Sequence, residues 1–340
     1  MKNNIWKGKN GPLLIAEIGG NHEGDFDYAK KLTQLAIDSG ADFVKFQIYT
    51  GDGLVSKVES PQRNEHFKKF ELTPEQHIAL AKMCQDQGVG YTASVWNFDA
   101  LEWSAPLMPF FKVGSGDLTA YPMLKALAAY KKPLLISTGL STEKEIIEAV
   151  EYVRSLDDFY KERENIAILQ CTSMYPIPAD EAHLNVMHSL KEKLNCTVGY
   201  SDHTEGSYAM EIAVAMGAEI LEFHFTDNRE GKTFRDHKVS LTKDEVHSLA
   251  QKIRQIEALK GSAIKKPVPI ELENGHELSF RRAVYPSRRI EKGEILSEEN
   301  LTVLRPLAGI DAREYEQLIG KKTNKQLDAF EKLSWGYIEQ

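Results

Sequence analysis

Short apolar runs alternate with helix-like segments from residue 13 to residue 259 of the chain. The first run, residues 13–18, ends in Gly19 and Gly20, as a buried strand followed by a turn does. An amphipathic segment follows it and ends at Gly40. The alternation then recurs and predicts eight strands, which begin near residues 13, 42, 90, 109, 133, 166, 196 and 218. Helices are predicted between these strands.

The starts of three helices carry capping signals. Thr73, Thr142 and Thr242 each precede a glutamine or glutamate by three residues, which is typical of a capping box. Eight strands that alternate with helices over about 250 residues predict an α/β fold of the (β/α)₈ or TIM-barrel type. A doubly wound sheet is the alternative, but no glycine-rich phosphate-binding motif follows any of the strands. Residues 51–69 are polar and irregular, and we expect them to form a loop over a site.

The alternating pattern ends near residue 262. Residues 263–278 are rich in Lys, Pro, Glu and Gly and predict an extended linker, because proline stiffens such a segment. Residues 279–340 contain short strand candidates separated by turns, and they predict a small β-rich domain. A domain of this size is marginally stable alone and usually docks against another surface. The predicted organisation is therefore a catalytic barrel at 1–262, a linker at 263–278 and a small domain at 279–340.

The composition is that of a globular protein and excludes several functional classes. The chain has 340 residues, 42% of them hydrophobic and 27% charged, with a net charge of −8. The negative charge gives no electrostatic reason to expect nucleic acid or an anionic membrane as a partner. Three cysteines without metal or redox spacing do not form a disulfide framework. No apolar run has membrane-spanning length and the N-terminus lacks a signal-peptide core, so we expect a cytoplasmic protein.

Two histidines stand where neighbouring predicted strands end. His203 follows the strand that begins near residue 196, and His224 ends the strand that begins near residue 218. In a parallel barrel these strand ends lie side by side at the face where catalysis takes place. Neutral imidazoles there can share one divalent metal ion. The alternative is that both histidines are held by hydrogen bonds at the strand ends.

Charged and hydroxyl side chains follow the other predicted strands. Lys45 and Lys112 stand inside apolar strands, where either lysine alone could extend its ammonium group to the surface. Together with serines at equivalent strand ends, they indicate a binding site for a phosphate or carboxylate. Glu17 lies in an apolar run and is costly to bury unless it is paired. It could pair with a lysine, bind substrate hydroxyls or act as an acid–base group.

Seven segments of the chain resemble, in order, the motif series of the sialic acid synthase family. They are residues 15–24, 45–47, 112–117, 137–139, 171–176, 200–204 and 224–226. The C-terminal part, at residues 290–294, 301–306 and 318–321, resembles the antifreeze-like (SAF) domain that ends these enzymes. The resemblance covers essentially the whole chain.

This resemblance implies a reaction and a set of site residues. Phosphoenolpyruvate would condense with an N-acetylmannosamine-type amino sugar to give phosphate and a nine-carbon 2-keto sugar acid of the neuraminate, legionaminate or pseudaminate type. A divalent metal, Mn²⁺ first and Mg²⁺ or Co²⁺ as alternatives, would bind His203 and His224. Phosphoenolpyruvate would bind Lys45, Lys112, Ser115, Ser137, Ser173 and Ser201. The sugar would bind Glu17, Gln47, Tyr175 and Asp236. Glu17 would be the acid–base group. The catalytic residues would be Glu17, Asp236, His203 and His224.

The resemblance also implies a domain-swapped homodimer, in which Phe280 and Arg305 of the small domain reach the partner's active site.

Some positions depart from the family: Phe223 stands where many members have lysine, and Ser173 where some have asparagine. The loops at 49–69 and 226–235 also differ, which leaves N-acetylmannosamine and a 2,4-diacetamido sugar both open as substrates. The rival interpretations are another metal-dependent TIM-barrel aldolase or phosphoenolpyruvate-using synthase, and a non-catalytic sugar-binding module.

Overall fold

The computed structural model describes residues 5–339, which divide into two compact units with a boundary after Gly261. The first unit is a barrel with helices around it, and the second is a small domain with its own core. Between residues 5 and 339, no helix is long and apolar enough to cross a membrane.

The first unit is a closed barrel of parallel strands. Its strands are β1 (Lys7–Gly8), β2 (Gly11–Glu17), β3 (Phe43–Ile48), β4 (Gly90–Val95), β5 (Phe111–Val113), β6 (Leu134–Ser137), β7 (Ile166–Cys171), β8 (Thr197–Asp202) and β9 (Ile220–His224). Strands β2 to β9 are parallel neighbours in chain order, and the barrel closes because β2 pairs with β9. Strand β1 adds an antiparallel pair to β2. The predicted (β/α)₈ barrel is confirmed.

Helices connect the strands of the barrel. They are α1 (Phe26–Asp38), α2 (Gly51–Leu54), α3 (Pro61–Lys68), α4 (Pro74–Asp86), α5 (Leu101–Ser104), α6 (Tyr121–Ala128), α7 (Glu143–Leu156), α8 (Val186–Leu194), α9 (Tyr208–Ala215) and α10 (Lys243–Lys260). Short 3₁₀ helices occupy Phe98–Ala100, Ala105–Leu107, Ser115–Asp117, Asp158–Lys161, Arg163–Asn165, Ala179–Glu181 and Arg235–Val239. The predicted capping boxes are present at Thr73, Thr142 and Thr242.

The barrel interior changes from apolar to charged along the strands. Its lower part is closed by a cluster of buried side chains: Trp6, Leu13, Ile15, Phe110, Leu135, Ala167, Leu169 and Ile220. Side chains two residues apart on a strand point to the same face. Glu17, Ser137 and Glu222 therefore follow Ile15, Leu135 and Ile220 on the inner face, one step nearer the strands' C-terminal ends. This register places polar groups at one mouth of the barrel and leaves the other mouth filled.

Residues 51–69 are more ordered than the irregular loop that the sequence predicted. Helices α2 and α3 occupy most of this segment. The buried Asn64 side chain joins them, because its amide donates hydrogen bonds to the carbonyls of Gly51 (3.0 Å) and Val55 (2.8 Å). Such side-chain contacts to the backbone replace the hydrogen bonds that short helices lack at their ends.

The second unit contains a two-stranded antiparallel sheet of β10 (Ala283–Pro286) and β11 (Leu301–Leu304). Its core consists of Val284, Ile290, Leu296, Leu301, Ile310, Leu318, Leu327, Leu333 and Ile338. Two 3₁₀ helices follow the sheet, at Ala312–Gln317 and Trp335–Tyr337. The segment predicted as an extended linker differs from that expectation, because α11 (Pro269–Glu273) and α12 (His276–Ser279) lie in it. Pro269 starts α11 at a position where proline favours a helix, and Gly275 in a left-handed conformation precedes α12.

Candidate active site

The polar mouth of the barrel holds a cavity of about 930 Å³. All the barrel residues predicted for the site line it: Glu17, Lys45, Gln47, Lys112, Ser115, Ser137, Ser173, Tyr175, Ser201, His203, His224 and Asp236. They come from the ends of β2, β3, β5, β6, β7, β8 and β9 or from the loops that follow. The fold thus gathers side chains that are far apart in sequence.

Two lysines and two glutamates form a charged floor, which we define as Glu17, Lys45, Lys112 and Glu222. The Lys45 Nζ lies 2.8 Å from Glu17 Oε2 and 3.7 Å from Glu222 Oε2. The Lys112 Nζ lies 3.7 Å from Glu222 Oε1. All four side chains are buried, so the two positive charges face two negative charges in a region that excludes most water.

Hydroxyl groups add hydrogen bonds to the charged floor. Lys112 donates to the Ser137 hydroxyl at 2.7 Å and to the Val113 carbonyl at 2.9 Å. Ser201 donates to Glu222 Oε1 at 3.1 Å, while Glu222 Oε2 has no hydrogen-bond partner among residues 5–339. A buried oxygen without a partner is costly, so this atom is available to a ligand or a water molecule.

The charges of the floor shift one another's pKa values. Burial raises the pKa of the Glu17 carboxyl above its ordinary value, although the Lys45 ammonium opposes the shift. Burial would also raise the pKa of Glu222, but Lys112 and Lys45 outweigh it and lower that pKa to about 2. Burial lowers the pKa of Lys112, and the Glu222 carboxylate opposes this shift. Glu222 is therefore the fixed anion that helps Lys112 to stay charged.

Two of the predicted serines converge on a glycine beside the floor. The Gly139 backbone N–H donates to the Ser115 hydroxyl at 3.0 Å. A Cβ atom at position 139 would collide with the Ser173 hydroxyl and would lie 2.9 Å from that of Ser115. The close approach of both hydroxyls thus depends on the missing side chain of Gly139. These donors lie in the same cavity as Lys112 and Ser137.

The two histidines face each other across the same cavity. Their ring centroids are 5.4 Å apart, and the Tyr175 ring lies 4.0 Å from that of His203 and 5.3 Å from that of His224. The His203 Nδ1 donates to the Thr172 carbonyl at 2.6 Å, which leaves Nε2 as the free nitrogen of this ring. The His224 Nδ1 is buried without a hydrogen-bond partner within residues 5–339.

This histidine pair fits a divalent ion that has two protein ligands. Burial lowers the pKa of His224 well below its ordinary value, so its imidazole is neutral, as a metal ligand must be. Asp236 Oδ2 lies 3.8 Å from His224 Nδ1. In the part of the chain that the structure describes, no group of three or more His, Cys, Asp or Glu side chains could hold a metal. The other positions around an ion would therefore fall to substrate and water.

The residues predicted for the sugar lie around Glu17 and the histidines. Gln47 donates to Glu17 Oε1 at 3.0 Å, and burial raises the pKa of Asp236. The 3₁₀ helix that carries Asp236 is fixed by Ser240, which donates to the Asp236 carbonyl at 2.7 Å and accepts from Asn21 at 2.8 Å. Phe280 and Arg305 belong to the second unit, where the Arg305 guanidinium lies 5.3 Å from the Phe280 ring.

Sequence reasoning missed two parts of the cavity. The two-residue period of a strand could have predicted Glu222 as a cavity residue. It lies two residues before His224 and two after Ile220, on the inner face of β9. The second part is an aromatic wall, which we define as His66, Phe67 and Phe70 together with Phe234 from the loop after β9. No sequence pattern joins the wall's two segments, which meet only in the folded chain.

Comparisons with known proteins give consistent results. The NeuB family model matches residues 32–265, and the SAF domain model matches residues 281–335. The chain is 37% identical over 328 residues to the N,N'-diacetyllegionaminic acid synthase of Campylobacter jejuni, an alignment that covers 92% of this chain and 96% of the relative. It is 32% identical to the N-acetylneuraminate-9-phosphate synthase of Homo sapiens, with 93% and 90% covered.

A solved structure resembles the chain as well. The crystal structure of the N-acetylneuraminic acid (sialic acid) synthetase from Leptospira borgpetersenii in complex with citrate superposes with a TM-score of 0.73. The two are 28% identical, and the match covers 81% of this chain and 94% of the other.

Proposed function

The chain belongs to the NeuB family, and on this premise we propose that it is an enzyme that condenses phosphoenolpyruvate with an amino sugar of the N-acetylmannosamine type. The products are phosphate and a nine-carbon 2-keto sugar acid. The observation that carries the proposal is the charged floor beside the histidine pair in one cavity. Such a cavity accepts an anion at one end and an aldehyde at the other.

Phosphoenolpyruvate binds over the lysines of the floor. Its phosphate and carboxylate are anions that accept hydrogen bonds from ammonium and hydroxyl groups. Lys45, Lys112 and Ser137 supply these donors from buried positions, and Ser115 and Ser173 supply more beside Gly139. The fixed ammonium groups stabilise negative charge on the phosphate as it leaves, and they need no reorganisation in the transition state.

The reaction joins C3 of phosphoenolpyruvate to the aldehyde carbon of the open-chain sugar. A water oxygen bonds to C2, and the bond between C2 and the phosphate oxygen breaks. Of the two protons that the water loses, one ends on the aldehyde oxygen and the other on the released phosphate, so atoms and charge balance. Glu17 is placed to hold the proton for the aldehyde oxygen, because burial raises the pKa of its carboxyl. Gln47 orients Glu17 through a 3.0 Å hydrogen bond.

His203 and His224 are the residues that would hold a divalent ion, Mn²⁺ in first place and Mg²⁺ or Co²⁺ as alternatives. When bound, the ion supplies Lewis-acid polarisation of the aldehyde. Thr172 fixes the orientation of His203 through its carbonyl, and Tyr175 packs against both rings. Asp236, 3.8 Å from His224, is placed to orient a hydroxyl of the sugar or a water molecule.

The proposal includes a domain-swapped homodimer. In it, Phe280 and Arg305 of one subunit reach the sugar in the partner's barrel and supply an aromatic face and a fixed cation. Phe280 is 54% exposed in the single chain, which leaves its ring available for such a contact.

Phosphate release tests the function directly. The purified protein is incubated with phosphoenolpyruvate and Mn²⁺ and one sugar at a time, with N-acetylmannosamine and the 2,4-diacetamido-trideoxy hexoses as the panel. We expect release with at least one sugar and none without sugar or with a chelator in place of Mn²⁺. An aldolase would cleave or join carbon chains without releasing phosphate from phosphoenolpyruvate. Absence of release with every sugar, from a folded protein, would refute the proposal.

A further inference from the structure

We propose that the aromatic wall binds the apolar end of the sugar and thereby selects a 2,4-diacetamido-6-deoxy hexose over N-acetylmannosamine. The parts recognised are the methyl groups at C6 and on the C4 acetamido substituent. This inference rests on the proposed function and names the substrate class for the same cavity.

The wall presents continuous ring surface to the cavity. The Phe70 ring centroid lies 4.9 Å from that of Phe234 and 4.8 Å from that of His66. The His66 and Phe234 rings are 6.2 Å apart and nearly parallel, at 18°. Phe67 meets Tyr49 edge to face at 5.4 Å. Phe67, Phe70 and Phe234 are half-buried and have no polar side-chain atoms, so this side of the cavity suits methyl groups.

The wall is held in place by contacts behind it. Asn64 fixes α3, the helix that carries His66 and Phe67, to the carbonyls of Gly51 and Val55. Phe234 rests on Gly20, where a Cβ atom would lie only 2.8 Å from the ring. The ring thus occupies space that a side chain at position 20 would take. A wall fixed in this way loses little conformational entropy when a sugar binds, which favours selective contacts.

The wall is continuous with the histidine pair. The Tyr175 ring lies 4.0 Å from His203, the Arg235 guanidinium lies 4.6 Å from the Tyr175 ring, and Phe234 precedes Arg235 in the chain. The aldehyde carbon of the sugar must stand near the histidines and the floor, where phosphoenolpyruvate binds. Its far end, from C4 to C6, then lies along Tyr175 and Arg235 toward the wall.

The chemistry of the far end decides between the two sugars. A methyl group placed against the rings gains about fourfold in affinity, and two methyl groups gain about 15-fold, from the transfer energy of a buried methylene-sized group. The C4 and C6 hydroxyls of N-acetylmannosamine would lose water contacts against the phenyl rings without gaining a partner from them. The relative from Campylobacter jejuni, 37% identical, is named for a diacetylated product.

Phe70→Ala tests the wall, with Phe70→Leu as the conservative variant. Phosphate release gives kcat and KM for both sugars, and calorimetry gives the Kd of phosphoenolpyruvate alone and of each sugar in its presence. We expect Phe70→Ala to lower the kcat/KM ratio between the diacetamido sugar and N-acetylmannosamine by about tenfold, mainly through KM. Phe70→Leu should recover a large part of the ratio, and the Kd of phosphoenolpyruvate should stay within about twofold.

Phe98→Ala is the matched control, because it removes an exposed phenyl ring that does not line the cavity. It should leave the ratio unchanged. An equal loss of kcat/KM for both sugars in Phe70→Ala would overturn the inference, and so would a preference of the wild type for N-acetylmannosamine. Neither result would contradict the proposed synthase function. If the wild type releases no phosphate with any sugar, the proposed function fails; calorimetry then tests the wall alone, and equal sugar affinities in the wild type and Phe70→Ala would overturn it.

Discussion

Replacement of Glu222 by glutamine separates the charge of the floor from its shape. Glutamine has the same length and can still accept the Ser201 hydrogen bond that Glu222 Oε1 accepts at 3.1 Å. The negative charge disappears, however, from beside two buried ammonium groups. In the variant, Lys45 still forms its ion pair with Glu17 at 2.8 Å, whereas Lys112 loses its ion pair with the Glu222 carboxylate at 3.7 Å. The consequence for stability should therefore arise mainly at Lys112.

The size of the effect follows from the burial of the pair. Removal of one partner from a buried ion pair costs about 3–5 kcal/mol, because the other charge stays buried and uncompensated. The separation of 3.7 Å exceeds a direct hydrogen bond, and Lys112 keeps the Ser137 hydroxyl and the Val113 carbonyl. We therefore expect a loss near the lower limit, about 3 kcal/mol in the free energy of unfolding. For a domain of this size that loss lowers Tm by about 6–12 °C.

The loss should depend on pH in a defined direction. Burial already lowers the pKa of Lys112, and Glu222→Gln removes the carboxylate that opposes this shift. The unfolded variant then binds the Lys112 proton more tightly than the folded variant does, so its stability rises with pH. The difference from the wild type should be largest near neutral pH. It should shrink as the pH falls toward about 2, because the wild type loses the stability that comes from the lowered pKa of Glu222. It should also shrink as the pH rises through the lowered pKa of Lys112 in the folded variant.

Thermal denaturation in the presence of a chelator, at several pH values, measures this effect. Glu219→Gln is the matched control: Glu219 directly precedes β9 and pairs with Lys191 at 3.1 Å, but its side chain is 32% exposed. An exposed pair contributes at most about 1 kcal/mol, so the control should lose little stability. A Tm change in Glu222→Gln as small as the control's, or a difference from the wild type that grows as the pH rises above neutral, would refute the role assigned to Glu222.

Three further variants test other parts of the structure. His224→Ala should abolish Mn²⁺ binding by calorimetry and turnover while leaving the barrel folded; retained metal and activity would contradict the assignment. Arg305→Ala should raise the KM of the sugar far more than that of phosphoenolpyruvate. Mixing Arg305→Ala with His224→Ala should restore some activity through hybrid dimers, and no restored activity would contradict the swapped arrangement. Asp42→Ala removes the carboxylate that accepts hydrogen bonds from the backbone N–H groups of Lys9 (3.0 Å) and Leu14 (2.9 Å). It should lower the free energy of unfolding, measured by urea denaturation, by about 2 kcal/mol. An unchanged unfolding midpoint would show that these bonds do not stabilise β2.

The barrel could be predicted because its signals are local. Each buried strand is a short apolar run, and each helix start at Thr73, Thr142 and Thr242 carries its own cap. Closure follows from the number and alternation of these elements. The same logic places Lys45 and Lys112 at one mouth, since both stand in parallel strands, two residues beyond Phe43 and Phe110 of the apolar cluster.

The aromatic wall could not be predicted because it is made by contacts between distant segments. Phe70 and Phe234 meet at 4.9 Å, but the sequence around either residue does not indicate the other. Asn64 reads as a polar loop residue, and only its three-dimensional position shows that it fixes two short helices. In the predicted linker, the prolines indicate an extended chain. Pro269 instead begins α11, because the first turn of a helix also accepts proline.

The charged floor explains why the barrel carries ions where apolar side chains would be more stable. A buried ion pair rarely stabilises a fold more than apolar residues of the same volume would, since the desolvation of each charge is so costly. One step below, the same strands fill the barrel with Ile15, Leu135 and Ile220, so apolar packing is sterically possible there. The glutamates neutralise the lysines in the free protein. Under the proposed function, the phosphate of phosphoenolpyruvate replaces their contacts with Lys45 and Lys112. The cost of keeping four charges out of water would then be incurred during folding, and both lysines would already be desolvated before the substrate binds.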